Sequence, residues 1–171
     1  MLIQEIRAKQ VLEEEGLDLP INVIHEEIPK TFIGDEEFTL IFPKSMFEYE
    51  SDKIIDIIFI GKMTDTRKEF LNQFDATIIE SLRGRDKTTK GFDESYFQEM
   101  SKAKFVLCPN GDFVWTYRFF EAMIFKAIPV IEDDCSLYSG YRFYRKGDKL
   151  IYREDWVKYN LDKLKNEMTW K

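Results

Sequence analysis

The sequence holds a single histidine, His25. That scarcity removes most metalloenzyme designs and weighs against Ser-His-Asp catalysis, both of which lean on imidazole. The two cysteines, Cys108 and Cys135, form no metal-like spacing with each other or with His25. A single disulfide is one reading of them; reduced thiols in a cytoplasmic chain is the plainer one. Glycine (8) and proline (5) are sparse, which excludes a collagen-like or linker-rich chain. No apolar run approaches the roughly 20 residues that span a bilayer. The first residues, MLIQEIRAKQVLEEEG, carry acids and no continuous apolar stretch, unlike a secretory signal. A basic excess is also missing: 25 Lys and Arg stand against 32 Asp and Glu, for a net charge of −7. A global nucleic-acid binder is normally basic, so a polyanion site here has to be a local cluster. An anionic membrane surface attracts such a chain even less.

What is present is apolar substance. The 171 residues are 44% hydrophobic and 15% aromatic, enough for one domain with a sizeable core. From about residue 50, short apolar runs alternate with helical patterns. IIDIIFI, residues 54–60, is β-branched and nearly continuous, as in a strand buried on both faces. Thr64 or Asp65 then caps a helix with Phe70, Leu71 and Phe74 at helical spacing. Further strands read at 76–79, 105–108, 128–131 and 149–152. Helices read at 93–102, 117–125 and 155–168. This alternation predicts βαβ crossovers and an α/β fold, a three-layer Rossmann-like parallel sheet flanked by helices. The first fifty residues fit less cleanly, with a helix near Leu2 and Ile6 and strands at INVI (21–24) and FTLIF (38–42). The economical division is an N-terminal extension, 1–50, packing on a Rossmann-like domain, 51–171.

In an open parallel sheet, ligands bind beyond the carboxyl ends of the strands. Polar and basic residues gather at those ends: Gly61, Lys62, Thr64 and Arg67; then Arg83, Gly84, Arg85 and Lys87; then Asn110, Gly111, Asp112 and Thr116 ahead of Arg118; then Glu132, Asp133 and Asp134. A Gly-containing loop running into a helix presents unpaired N–H groups and a favourable dipole to an anion. Arg118 adds a permanently charged planar donor suited to phosphate. Glu121 follows three residues on, where a carboxylate can accept from the vicinal hydroxyls of a ribose. Together these residues describe a nucleotide-diphosphate site. The same Arg–Glu spacing also describes a surface ion pair.

The stretch SKAKFVLCPNGDFVWTYRFFEAMIFKAIPVIEDD, residues 101–134, resembles the donor-binding segment of exostosin-like glycosyltransferases. The resemblance rests on Leu107, Cys108, Pro109, Gly111, Arg118, Glu121, Ala122, Ile128, Pro129 and Val130, and upstream on Phe59, Gly61 and Arg67. It implies the C-terminal half of a GT-B glycosyltransferase, binding a UDP- or GDP-sugar and passing the sugar to a glycan, protein or small-molecule acceptor, with no cofactor and no metal. It further implies that Arg118 and Arg67 contact the diphosphate, that Glu121 contacts the ribose, and that the loop from Asn110 to Thr116 lies against the sugar or diphosphate.

Two departures stand out. Lys126 occupies a position that is usually glycine in the family, and a left-handed helix terminus there costs a non-glycine residue about 1 kcal/mol. A GT-B enzyme also has an acceptor-binding half, which fifty residues cannot build, so a homodimer or a partner chain is expected to complete the cleft. The sequence singles out no catalytic base. His25, beside Glu26 and Glu27, reads either as a base or as a solvated loop histidine. The 132–134 acids read as a metal motif or a solvated strand end. Cys108 reads as a small apolar residue, and Trp115 as a stacking platform for base or sugar. A non-catalytic binding module derived from such a half is the alternative to the enzyme.

Overall fold

A computed structural model describes residues 3–80 and 94–170. The basic loop residues Arg83, Gly84, Arg85 and Lys87, and Asp93 at the expected helix start, lie outside the described residues. The chain opens with helix α1 (Ile3–Glu15) and an antiparallel meander of β1 (Ile21–Ile24), β2 (Lys30–Ile33) and β3 (Glu36–Phe38). It continues through β4 (Ile55–Gly61), α2 (Asp65–Leu71), β5 (Thr77–Glu80), α3 (Glu94–Ser101), β6 (Ala103–Cys108), α4 (Tyr117–Ile124), β7 (Ile128–Ile131), β8 (Tyr144–Arg145) and α5 (Glu154–Met168).

The five later strands form one parallel sheet in the order β5-β4-β6-β7-β8. Side chains alternate across it. Ile58, Ile60, Val106, Cys108 and Ile131 pack with Tyr96, Phe97 and Met100 of α3 and Phe119, Phe120 and Met123 of α4. Phe59, Phe105, Leu107, Ile128 and Val130 pack on the other face with Phe70 and Leu71 of α2 and Val157 of α5. The result is the three-layer, Rossmann-like α/β sheet flanked by helices that the alternating pattern predicts.

The strand order reverses direction at β4: the chain steps outward to β5, then returns past β4 to β6. Helices α2 and α3 leave on opposite faces there. A crevice opens at such a switch point, beyond the carboxyl ends of β4 and β6.

Two expected strands are corrected. Residues 149–152 are not a strand; the fifth strand of the sheet is β8, five residues earlier. Gly147, at φ 87°, turns the chain, and the carboxylate of Asp148 accepts the Arg145 N–H at 2.7 Å, ending the strand before residue 149. In FTLIF only Phe38 is in a strand. Leu40, Ile41 and Phe42 are fully buried and serve as a plug. Leu40 and Phe42 enter the main core, while Ile41 joins Ala8, Val11, Leu12 and Ile33 beneath α1. The chain end reinforces this seam, since Phe42 N–H donates to Met168 O at 3.1 Å and Trp170 packs on Phe38.

Candidate functional site

The crevice is built from β4 outward. Arg118, the second residue of α4, turns back across the end of β4, where its Nε donates to Ile60 O at 2.9 Å. Its guanidinium lies over the Phe59 ring, 4.9 Å from the centroid. This path needs glycine at residue 61: a Cβ there would meet Arg118 Nη2 at 2.5 Å, closer than side-chain carbons approach. Nη1 donates to Thr116 Oγ1 at 3.4 Å. Nη2 hydrogen-bonds to no acceptor among the described residues.

Thr116 is the N-cap of α4, its hydroxyl accepting from Arg118 N–H. Its own N–H donates to the Tyr138 hydroxyl at 2.8 Å, and that hydroxyl donates to Val114 O. Tyr138 is fully buried and stacked on Phe119, so the loop before α4 rests on the core.

Arg67 approaches from α2. Thr64 caps that helix, and Arg67 Nη1 donates to Lys62 O at 2.8 Å and Nε to Asn110 O at 3.5 Å. The arginine thus ties the two loops that flank the crevice. Asn110 is held from behind, where its N–H donates to Glu132 Oε1 at 3.1 Å and its side-chain amide to Asp133 Oδ2 at 2.7 Å. Asp134 pairs with Arg145 at 2.6 Å. The acids of 132–134 therefore brace loops; among the described residues no group of three or more acidic, Cys or His side chains is placed to hold a metal ion.

Between the arginines lies a cleft of about 120 Å3. Arg67, Arg118, Gly111, Asp112, Thr116 and Tyr117 line it, together with Phe113, Trp115 and His25. Five of the residues expected at a donor site, Arg67, Gly111, Asp112, Thr116 and Arg118, thus meet at one place. Gly61 sits just beneath them, and Asn110 flanks them. Lys62 is exposed and outside the lining; its carbonyl is what engages Arg67.

Glu121 is elsewhere. It is 4% exposed and pairs with Arg7 of α1 at 3.2 Å, while the Tyr96 hydroxyl donates to its other oxygen at 3.4 Å. Arg7 is fully buried, sandwiched between the Phe42 and Tyr117 rings at 4.5 and 4.4 Å. The sequence reading missed Arg7. Its signal was available, because a charge among Ile3, Ala8 and Val11 on one helical face calls for a buried partner.

Trp115 is corrected as a stacking platform. It is 5% exposed, its Nε1 donates to Glu26 O at 3.2 Å, and Phe113, Tyr117 and His25 pack around it. Burial pushes the Cys108 thiol up to about 12, despite the pull of Arg118, and its Sγ donates to Val106 O. It is a neutral core group. Cys108 and Cys135 are both free. No helix among the described residues is long and apolar enough to cross a membrane.

Comparison with curated proteins returned no match. The family model described as the Exostosin GT47 domain matches residues 36–143. That span holds both arginines, the loop from Asn110 to Thr116, and four of the five strands of the parallel sheet. With well over half of its length matched, the chain belongs to the exostosin GT47 family of glycosyltransferases.

Proposed function

We propose that the crevice at the switch point binds the diphosphate of a nucleotide sugar, a UDP- or GDP-sugar, from which the sugar passes to an acceptor hydroxyl. The observation that carries this is the pairing of Arg118 and Arg67 across one cleft, with Nη2 of Arg118 held over Gly61 and hydrogen-bonded to no acceptor among the described residues. Attack by the acceptor oxygen on the anomeric carbon breaks the sugar–phosphate bond; its electron pair leaves on the diphosphate, and the hydroxyl proton passes to solvent. Arg118, Arg67 and the positive end of α4 stabilise that charge as it develops. The reading routes no step through a metal. Asn110, Gly111, Asp112 and Thr116 shape the loop against the diphosphate or sugar. Lys62 supplies positive charge at the rim. Glu121 enters through Arg7 and Tyr117, as the anchor of the wall behind the cleft.

A second reading has support in the size of the cleft. About 120 Å3 suits a diphosphate, whereas whole-ligand pockets run to roughly 300–1,000 Å3. A further surface then has to cover the nucleoside and sugar, and without it the domain binds but turns nothing over. A product assay separates the two. Free UDP or GDP and a glycosylated product, formed from the donor by wild type and not by Arg118→Ala, support the enzyme. Donor binding without product, across a panel of acceptors and with the partner chain supplied, supports the binding module.

A further inference from the structure

We propose that His25 is a third contact to the bound diphosphate, its imidazolium donating to an oxygen of the leaving phosphate. The inference rests on the donor reading above and adds a residue from outside the region that matches the family, since residue 25 precedes residue 36.

The placement of His25 is built. Strand β1 ends at Ile24, and His25 links it to the bend at 26–28. Trp115 Nε1 fixes this bend by donating to Glu26 O at 3.2 Å. The imidazole packs edge-on against two rings, Phe113 at 5.3 Å and Trp115 at 5.4 Å, both at 66°. Those two rings lie 5° from parallel and form a stiff backing. With the backing behind it, His25 faces the cleft that Arg67 and Arg118 also line. An anion held by the two arginines therefore sits in the cleft whose lining includes the imidazole.

Charge sets the sign of the consequence. The charged groups around the ring are Arg67 and Arg118 across the cleft, Asp112 on the lining, and Glu26 and Glu27 beside it in the chain. Phe113 and Trp115 carry no charge. A bound diphosphate brings two negative charges into the cleft and tips the ring toward imidazolium. Imidazole is the side chain that ordinarily changes charge between about pH 5 and 8, so binding takes up a proton and tightens as pH falls through that interval. A charge-assisted hydrogen bond exceeds a neutral one enough to tighten binding by roughly 5- to 10-fold. As the sugar–oxygen bond breaks, the electron pair goes to the phosphate oxygen and the imidazolium N–H is directed at it.

The test uses UDP- and GDP-sugars, whose diester diphosphates keep a constant charge over the interval. Calorimetric titration at about pH 5.5 and about pH 8 should show the wild type binding roughly 5- to 10-fold more tightly at the lower pH, with proton uptake read from the buffer dependence of the heat. His25→Gln should bind equally at both values and take up no proton. Because His25 is the only histidine, its ring resonance in the wild type is a single probe, and it should move toward the imidazolium position when donor is added. This decides the matter even if the variant fails to fold. Equal wild-type affinity at both pH values, a pH dependence retained in His25→Gln, or an unmoved ring resonance with donor bound each overturns the role of His25 and leaves the donor site standing. Absence of any donor binding overturns the donor site, and the role of His25 with it.

Discussion

At the scale of single residues, Gly61 and Arg118 are one unit. The guanidinium passes where a side chain at 61 would stand, so Gly61→Ala must push Arg118 off Ile60 O and out of the cleft. Its effect on donor affinity should match the loss of one charged hydrogen bond, about 10- to 100-fold, with the unfolding transition little changed. Calorimetry beside a urea melt checks both halves of that statement. Lys126 is the complementary case. It holds φ 61° in a helix end where Lys126 N–H donates to Met123 O and Ala127 N–H to Ala122 O, the pattern of a Schellman cap. Its ion pair with Glu50 is exposed and worth little. Lys126→Gly should therefore raise stability by about 1 kcal/mol, read as a shift of the urea midpoint at constant slope; an unchanged or lower midpoint contradicts the strain. The sequence alone flagged both positions. What it did not reveal was the route of Arg118, because a side chain's path depends on the strand it crosses, fifty-seven positions away in the chain.

At the scale of elements, α1 is tied to the family domain by a buried charge. Removing one partner of such a pair leaves the other unpaired in the interior, at a cost of about 3–5 kcal/mol. Arg7→Ala should reach that range in denaturant unfolding, while joint replacement of Arg7 by Met and Glu121 by Leu should recover much of it. If Arg7→Ala costs no more than a surface substitution, the pair does not hold α1. The same pair explains why the role of Glu121 was illegible in the sequence. Three residues after an arginine on one helix, its partner looks local; the structure supplies a distant one. Strands and helices from residue 55 to 131 were legible because their apolar runs are long enough to show a period. β2 and β8 were not, since KTFI follows a proline and β8 is two residues long.

Across the whole molecule, the two ends of the sheet carry different chemistry. Beyond the carboxyl ends lies the arginine crevice. At the opposite end Lys53 Nζ donates to Ser101 O at 2.8 Å and Phe125 O at 2.6 Å, closing the last turns of α3 and α4 with one cation. Burial, and secondarily the Lys126 charge, lower Lys53 to about 8. Unfolded lysine titrates near 10.4, so between about pH 8 and 10 the unfolded chain holds more protons at this position and stability rises with pH. Wild type should therefore gain stability relative to Lys53→Met on going from pH 7.5 to about 9.5. A constant or falling difference in urea melts contradicts the burial of that amine.

The central claim concerns the other end, and one measurement reaches it most directly. A thermal-shift panel of UDP, GDP, ADP, CMP and their sugar conjugates, with and without magnesium, is run on wild type, Arg118→Gln and Arg67→Ala. A ligand at 100 times its dissociation constant stabilises a fold by about 2.7 kcal/mol, a readable rise in melting temperature. The account predicts a rise with one diphosphate nucleotide and its sugar conjugate, reduced in both arginine variants. A well-folded wild type that shifts with none of them, or shifts equally in all three proteins, contradicts it.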